Sequence, residues 1–479
     1  MYKRILPVLV LLLACGSGKH EAAQFEPTEG IVASEDWMGM YIKDAKIGYL
    51  YSRQEILDSS TLRFTQKSVM KLEMLGSHEE FSTNMIAETD TNYNLITFTS
   101  DISSRQTTFY AEGYRDEDLL IITVESAGTK ETKEIPIEGE GLITPALGKW
   151  VLAKNPQPGD KFKVTIFEPT LLRFIPVTVK TIGPEAVEID DEKIPAMHFK
   201  TTLLAMTNDV WLDSTGSSLK EIQKPKILAI RESRTRALAE IPAPVQLDLL
   251  SFFAVQPDKP IENPRGLSRI KLLVSGIPPE VELSLSSETQ GKIDLPEGIE
   301  LTITLPDTSS MSGSPLPLTE PAEFLGSSIY IQKDNEKIRN KALEIVGDEK
   351  DAVTAAAKLV DWVHNNLTKR ATASVPSAVE VLATRQGDCN EHAILTAALG
   401  RAAGIPTKIN VGLVYLDGAF YYHAWNSFWT GDTWVPADAT FGQLPADPTH
   451  IQLHEGELDE QAKVLAIVGQ IGIQILEAR

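Results

Sequence analysis

The apolar residues of this chain change period once, and that change limits the folds it can adopt. From about Ile31 to Glu240 they recur in short alternating runs, such as Met38-Gly39-Met40-Tyr41-Ile42 and Phe162-Lys163-Val164-Thr165-Ile166. Turn signals such as Asn155-Pro156-Gln157-Pro158-Gly159-Asp160 separate these runs. Period two, with β-branched and aromatic enrichment, predicts a large antiparallel sheet. From Asn335 the spacing turns helical, with Val353, Ala356, Ala357, Val360 and Val363 at i, i+3, i+4 intervals. The expected fold is multidomain: N-terminal, mainly antiparallel β structure followed by an α+β domain. Pro-rich stretches (Pro242 to Pro264, and Thr308 to Pro321) set the boundaries. They delimit a β-rich domain at 31–240, a small β module at 256–310 and a final domain at 321–479.

Within that final domain the segment Cys389 to Ala403 is apolar nearly all round, which marks a buried helix. Gly404-Ile405-Pro406 ends it with a left-handed cap and a helix breaker. Strands follow. Ile409, Val411, Leu413 and Tyr415 alternate, Asp417-Gly418 signals a hairpin, Ala419 to Trp429 forms the return strand, and a third strand begins at Thr433.

Cys389 opens the buried helix behind Asp388, a good N-cap. Helix amides and dipole there favour a thiolate, provided the Asp388 carboxylate is turned toward the amides. His423 lies inside the return strand, on one face with Trp425, Ser427 and Trp429. A two-residue loop Thr430-Gly431 sets His423 opposite Asp438, and a three-residue loop moves the partner to Ala439. A thiol, an imidazole and a carboxylate in this order suit nucleophilic acyl transfer. Cys389 would attack the acyl carbon, His423 would pair with it and protonate the leaving amine, and Asp438 would orient the ring. The Cys389 amide is one candidate oxyanion donor and Gln386 a second.

Arg385-x-Gly387-x-Cys389-x-x-His392-Ala393, His423-Ala424-Trp425 and Trp434-Val435-Pro436-x-Asp438-x-Thr440 together resemble the three motifs of the transglutaminase-like superfamily. The resemblance covers about Glu323 to Pro448. It implies a papain-like α+β core with Cys389, His423 and Asp438 as catalytic residues. The superfamily includes transglutaminases, peptidases, amidases and members that have lost catalysis. His392 stands where a bulky aromatic is common. Cys389, His392, His423 and Asp438 are also a ligand set in composition, but the resemblance accounts for them without a metal. No cofactor and no metal are expected. His450-x-x-x-His454 reads as two solvated histidines, His364 as a helix-surface residue, and Trp425 and Trp434 as core packing that can wall a cleft.

The other cysteine of the two, Cys15, closes Leu11-Leu12-Leu13-Ala14-Cys15 behind Lys3, Arg4 and a short apolar run. That run is too short to span a bilayer comfortably and reads as a secretion signal. Leu12-Leu13-Ala14-Cys15-Gly16 resembles the lipobox of bacterial lipoproteins, which implies a signal peptide at 1–14 and an acylated Cys15. Each buried CH₂ of such an anchor contributes about 0.8 kcal/mol. Residues 15–30 read as a flexible tether, and Gly16 in place of an Asp favours the outer membrane, facing the periplasm. Val210-Trp211-Leu212-Asp213 to Leu219-Lys220-Glu221 resembles the closing hairpin of periplasmic half-barrels of the lipoprotein-carrier type. A formal net charge of −21 argues against nucleic acid. The expected function is a membrane-anchored cysteine enzyme acting on amide bonds of envelope proteins or peptides, as peptidase, amidase or transglutaminase. The alternative is a non-catalytic envelope scaffold that binds through its N-terminal β domain. The oligomeric state is not written in the sequence.

Overall fold

The structure, a computed structural model, describes residues 29–42, 44–74, 77–103, 108–126, 129–203, 206–223, 227–241, 254–279, 281–306, 313–370, 377–457, 464, 467 and 469–479. The expected signal peptide, Cys15 and all but the end of the tether lie outside them. Among the described residues no helix is long and apolar enough to cross a membrane. The chain divides into two compact units on either side of residue 248.

In the N-terminal unit the described residues form one fifteen-stranded sheet. Eight strands, from Ile31–Ile42 to Thr129–Pro136, run outward in sequence order, and seven more run back from the far edge. The last, Ile227–Arg231, pairs with the first and sets Ala229 opposite Met40. Neighbours are antiparallel except Leu142–Ile143 beside Ile166–Phe167. Alternation sets the faces, as period two requires. On Arg173–Ile189, Val177, Val179 and Thr181 are buried, while Pro176 and Lys180 are exposed. The hairpin expected at Val210–Glu221 is present, with Val210 opposite Glu221. Its turn is tied by Asp213 Oδ1, which accepts from the amides of Thr215 (2.8 Å) and Ser217 (3.2 Å).

The C-terminal unit has the expected α+β composition. Among the described residues four α-helices (Glu336–Val346, Ala352–Asn366, Ala378–Thr384 and Cys389–Ala402) accompany a sheet ordered Trp434–Ala437, Ala419–Trp429, Thr407–Leu416, Ile451–Glu455. The Cys389 helix lies between the other three helices and that sheet. Ile394, Leu395 and Leu399 are essentially unexposed there, each burial stabilising by about 1.5–3 kcal/mol. Gly404 ends this helix at φ 78°, with Ile405 N–H donating to Gly400 O (2.9 Å) and Gly404 N–H to Arg401 O (3.1 Å). Both bonds belong to the Schellman cap that Gly permits. Segments read from sequence as a module (256–310) and a separate domain (321–479) share one sheet. The C-terminal strand Gly472–Ala478 pairs with Arg269–Ser275, Leu272 opposite Ile475.

Candidate active site

Asp388 caps the Cys389 helix as its side chain favours. It accepts from Asn390 N (2.9 Å), and Glu391 Oε2 accepts from Asp388 N (2.8 Å), completing a capping box. Helix and His423 strand are locked together by Asn426, whose buried Nδ2 donates to Ala393 O (2.9 Å). One turn before Ala393, the Cys389 sulfur accepts from the backbone amide of Ala424, the neighbour of His423. Cys389 is therefore held against the strand that carries the imidazole.

The thiolate expected at this helix start is not favoured. Cys389 is 0% exposed. Burial, then the fields of Asp388 and Glu391, push its pKa well above the ordinary thiol value, against the Ala424 amide. Asp388 is itself pushed up, by burial and then by Glu391. The cap chemistry is right, but a buried pair of acids offsets the helix dipole.

The hairpin beyond His423 differs from its expected register. Its loop is Thr430–Thr433, closed by Thr430 N–H donating to Thr433 O (3.0 Å), and Trp429 pairs with Trp434. That is a shift of two residues, which leaves every side chain on its own face. Strand pairing stops at Ala437, and the chain curls inward through a bridge between Asp438 and Gln443. The curl delivers the carboxylate: Asp438 Oδ2 accepts from His423 Nε2 at 2.8 Å, both residues being fully buried. Thr440 N (2.7 Å) and Phe441 N (3.2 Å) donate to Oδ1. Since Asp438 only accepts, the ring hydrogen sits on Nε2 and the lone pair on Nδ1, which has no hydrogen-bond partner. Burial lowers the His423 pKa despite the Asp438 charge. Trp425 stacks parallel at 6.2 Å and Phe441 tilts over the ring at 5.3 Å.

Directly across the neighbouring strand from His423 is Gly412. A Cβ there would lie 1.9 Å from Ile451 O, so only glycine lets the Ile451–Glu455 strand close on this sheet. That closure brings in His450, which sequence reasoning took for a solvated histidine. It is 5% exposed, and His454 is 8% exposed. His450 Nε2 donates to the same Asp438 Oδ2 at 3.0 Å, and Nδ1 to Asp447 O at 2.9 Å. Asp447 in turn accepts from Arg265 Nη1 (2.6 Å), Gln443 Nε2 (2.9 Å) and Thr449 N (2.9 Å). Burial would lower the His450 pKa, but Asp447 and the bonds to both carboxylates outweigh it and raise the value to about 9. Burial would raise Asp438, yet His423 and His450 hold it well below the usual carboxylate range. The run Asp447-Pro448-Thr449 is a turn signal that could have flagged this loop, with Asp447 accepting from the Thr449 amide two residues on.

Two further histidines pack around the site, His392 within the helix expected to be buried and His364, expected on a helix surface, partly buried instead. His392 is fully buried, its Nδ1 donating to Asp388 O (2.5 Å), and burial lowers its pKa to about 4. His364 is partly buried and bonds Ala439 O through Nδ1 (3.1 Å), bracing the Asp438 turn. Gln386, the candidate second oxyanion donor, has its Oε1 bonded by Arg370 Nη1 (3.4 Å). Nitrogen and oxygen atoms of His423, Asp438 and His450 lie within 4.8 Å of one another. An ion among them would have to replace both N–H···Oδ2 bonds and take the proton of a histidine titrating near 9.

A pH dependence of local stability follows. The ordinary histidine value is about 6.5, and His450 is raised above it to about 9. Its stabilisation is thus complete below pH 6.5 and is lost as pH rises through 9. The loss should be on the order of 3 kcal/mol, read as falling hydrogen-exchange protection of the Ala419–Trp429 strand. His450→Gln should flatten that decline, and an equally steep decline in the variant would assign it to another group.

Residues 339–439 match the family model of the transglutaminase-like superfamily. No curated protein matches the chain. Among solved structures, a protein of Cytophaga hutchinsonii named as a candidate cysteine protease is 18% identical. That match covers 43% of this chain and 83% of the other, with a TM-score of 0.26. A β-barrel-like protein of a domain of unknown function from Brucella abortus is 9% identical over 42% of this chain and 97% of its own, TM-score 0.34. A protein of Parabacteroides distasonis named as a candidate protease is 13% identical over 70% of this chain and 64% of its own, TM-score 0.20. Likenesses this loose carry no argument about activity.

Proposed function

We propose that the transglutaminase-like domain of this chain catalyses acyl transfer at amide bonds, with Cys389 as nucleophile, His423 as base and acid, and Asp438 as the orienting carboxylate. The observation that supports this most is the His423 ring, held through Nε2 with a buried, unpaired Nδ1. It lies one residue from the amide that bonds the Cys389 sulfur. The thiol proton passes to His423 Nδ1 as sulfur attacks the carbonyl carbon. The resulting oxyanion takes the Cys389 N–H, and collapse expels an amine that carries the proton away. Water or a primary amine then attacks the thioester. Apo hydrogen bonds of this kind commonly tighten only around substrate. We propose further that Cys15 is acylated and tethers the chain to the outer membrane, where the substrates are periplasmic proteins or peptides.

Complete burial of Cys389 favours a second reading, a domain that has kept its triad as a structural core within an envelope scaffold. The mature chain with iodoacetamide and a panel of amide substrates, with and without a primary amine, separates the two. Acyl transfer predicts one equivalent of label at Cys389 in the folded protein, together with hydrolysis or amine incorporation. Labelling only in denaturant, with no turnover, would establish the scaffold reading.

A further inference from the structure

A second site lies in the N-terminal unit. Alternate residues of its strands enclose a cavity of about 390 Å³, within the range of small-molecule sites of about 300–1,000 Å³. Five of the chain's nine methionines line it: Met38, Met40, Met70, Met85 and Met206. Unbranched thioethers adapt to a partner of no fixed shape, as an alkyl chain is. An apolar row also crosses the sheet in register, from Met70 through Gly48 and Met40 to Ala229. It continues past Glu221 to Val210 and Phe199. Glu221 also stands in that row, and burial pushes its carboxyl up.

The cavity also has a cationic end. Lys149 Nζ, on the short helix Leu147–Ala153, donates to Ser217 Oγ (2.9 Å) and Ser34 Oγ (3.4 Å). The nearby carboxylates of Asp36 and Asp213 are bridged by Arg231 at 3.2 and 2.8 Å. The lysine thus spends its hydrogen bonds on neutral hydroxyls, and an anion replacing them would form a stronger, charge-assisted bond. Ser34 and Met38 share a strand four residues apart, about 13 Å, so charge and apolar wall are separated along one axis.

We propose that this cavity binds a single-chain amphiphile with an anionic head, the head on Lys149 and the chain along the methionine row. A volume of about 390 Å³ is that of a small-molecule site and suits one medium-length chain. A free fatty acid and a lysophospholipid share this chemistry.

Calorimetric titration of the full chain with laurate, lauroyl-lysophosphatidylglycerol and dodecanol tests it. Saturable 1:1 binding is expected, with laurate about tenfold tighter than dodecanol, the worth of one charge-assisted bond. Lys149→Met should remove that preference, so that laurate binds no more tightly than dodecanol, and Ala229→Trp should abolish binding of all three by filling the row. Laurate alone binding would identify free fatty acid as the ligand, and comparable binding of the lysophospholipid would identify the phospholipid source. No saturable binding by the wild-type chain, or a laurate preference that survives in folded Lys149→Met, would overturn the proposal.

Discussion

Cys389→Ala is expected to lower amide turnover about 10⁶-fold, because members of a nucleophile–base–carboxylate unit fail together when the nucleophile is lost. What survives is whatever the Cys389 amide and substrate binding contribute. Stability should change by only about 1 kcal/mol, since one buried sulfur is exchanged for a small void. The helix keeps its anchors: the Asp388–Glu391 capping box and the Asn426 bond to Ala393 O do not involve the side chain that is removed. Single-turnover assays and mass detection of a thioester on the wild-type chain provide the measurement. Turnover within tenfold of wild type would remove Cys389 from the chemistry.

Asp438→Asn is expected to cut kcat about 10⁴-fold, the effect of placing an orienting amide where a carboxylate belongs. Asp438 accepts from four N–H groups, two imidazoles on Oδ2 and two backbone amides on Oδ1. An amide has one acceptor oxygen. If it faces the backbone, its NH₂ meets His423, and the ring must carry its hydrogen on Nδ1, where the thiol proton has to go. If it faces His423, the NH₂ opposes two backbone donors in a fully buried site. His450, a cation up to about pH 9, loses one of its two anions in either case and keeps Asp447. Nitrogen NMR of the imidazoles reads the tautomer directly. An unchanged kcat, or an unchanged His423 tautomer, would show that Asp438 does not orient the ring.

Much of this site was legible because its signals are local. Asp388 before Cys389 announces a helix start, and Gly404-Ile405-Pro406 announces its end; both features are present. The His423 face followed from period two, and it survived a misjudged loop because the register moved by two residues rather than one. Other readings failed for reasons that local pattern does not contain. A helix N-terminus normally lowers a thiol pKa, yet here burial and neighbouring acids raise it. His450 and His454 look like exposed residues at helical spacing. In fact they flank and belong to a buried strand, admitted only because Gly412 lacks a Cβ.

The sequence by itself determined the order of layers, the helix that begins at Cys389 and the face that carries His423, because periodicity and capping act over a few residues. Only the tertiary structure decided which groups surround the Asp438 carboxylate. His423 reaches it from a strand fifteen residues earlier and His450 from twelve residues beyond, while Arg265 holds Asp447 from 182 residues away. Charges that far apart in the chain determine one another's protonation only after burial has removed the water between them.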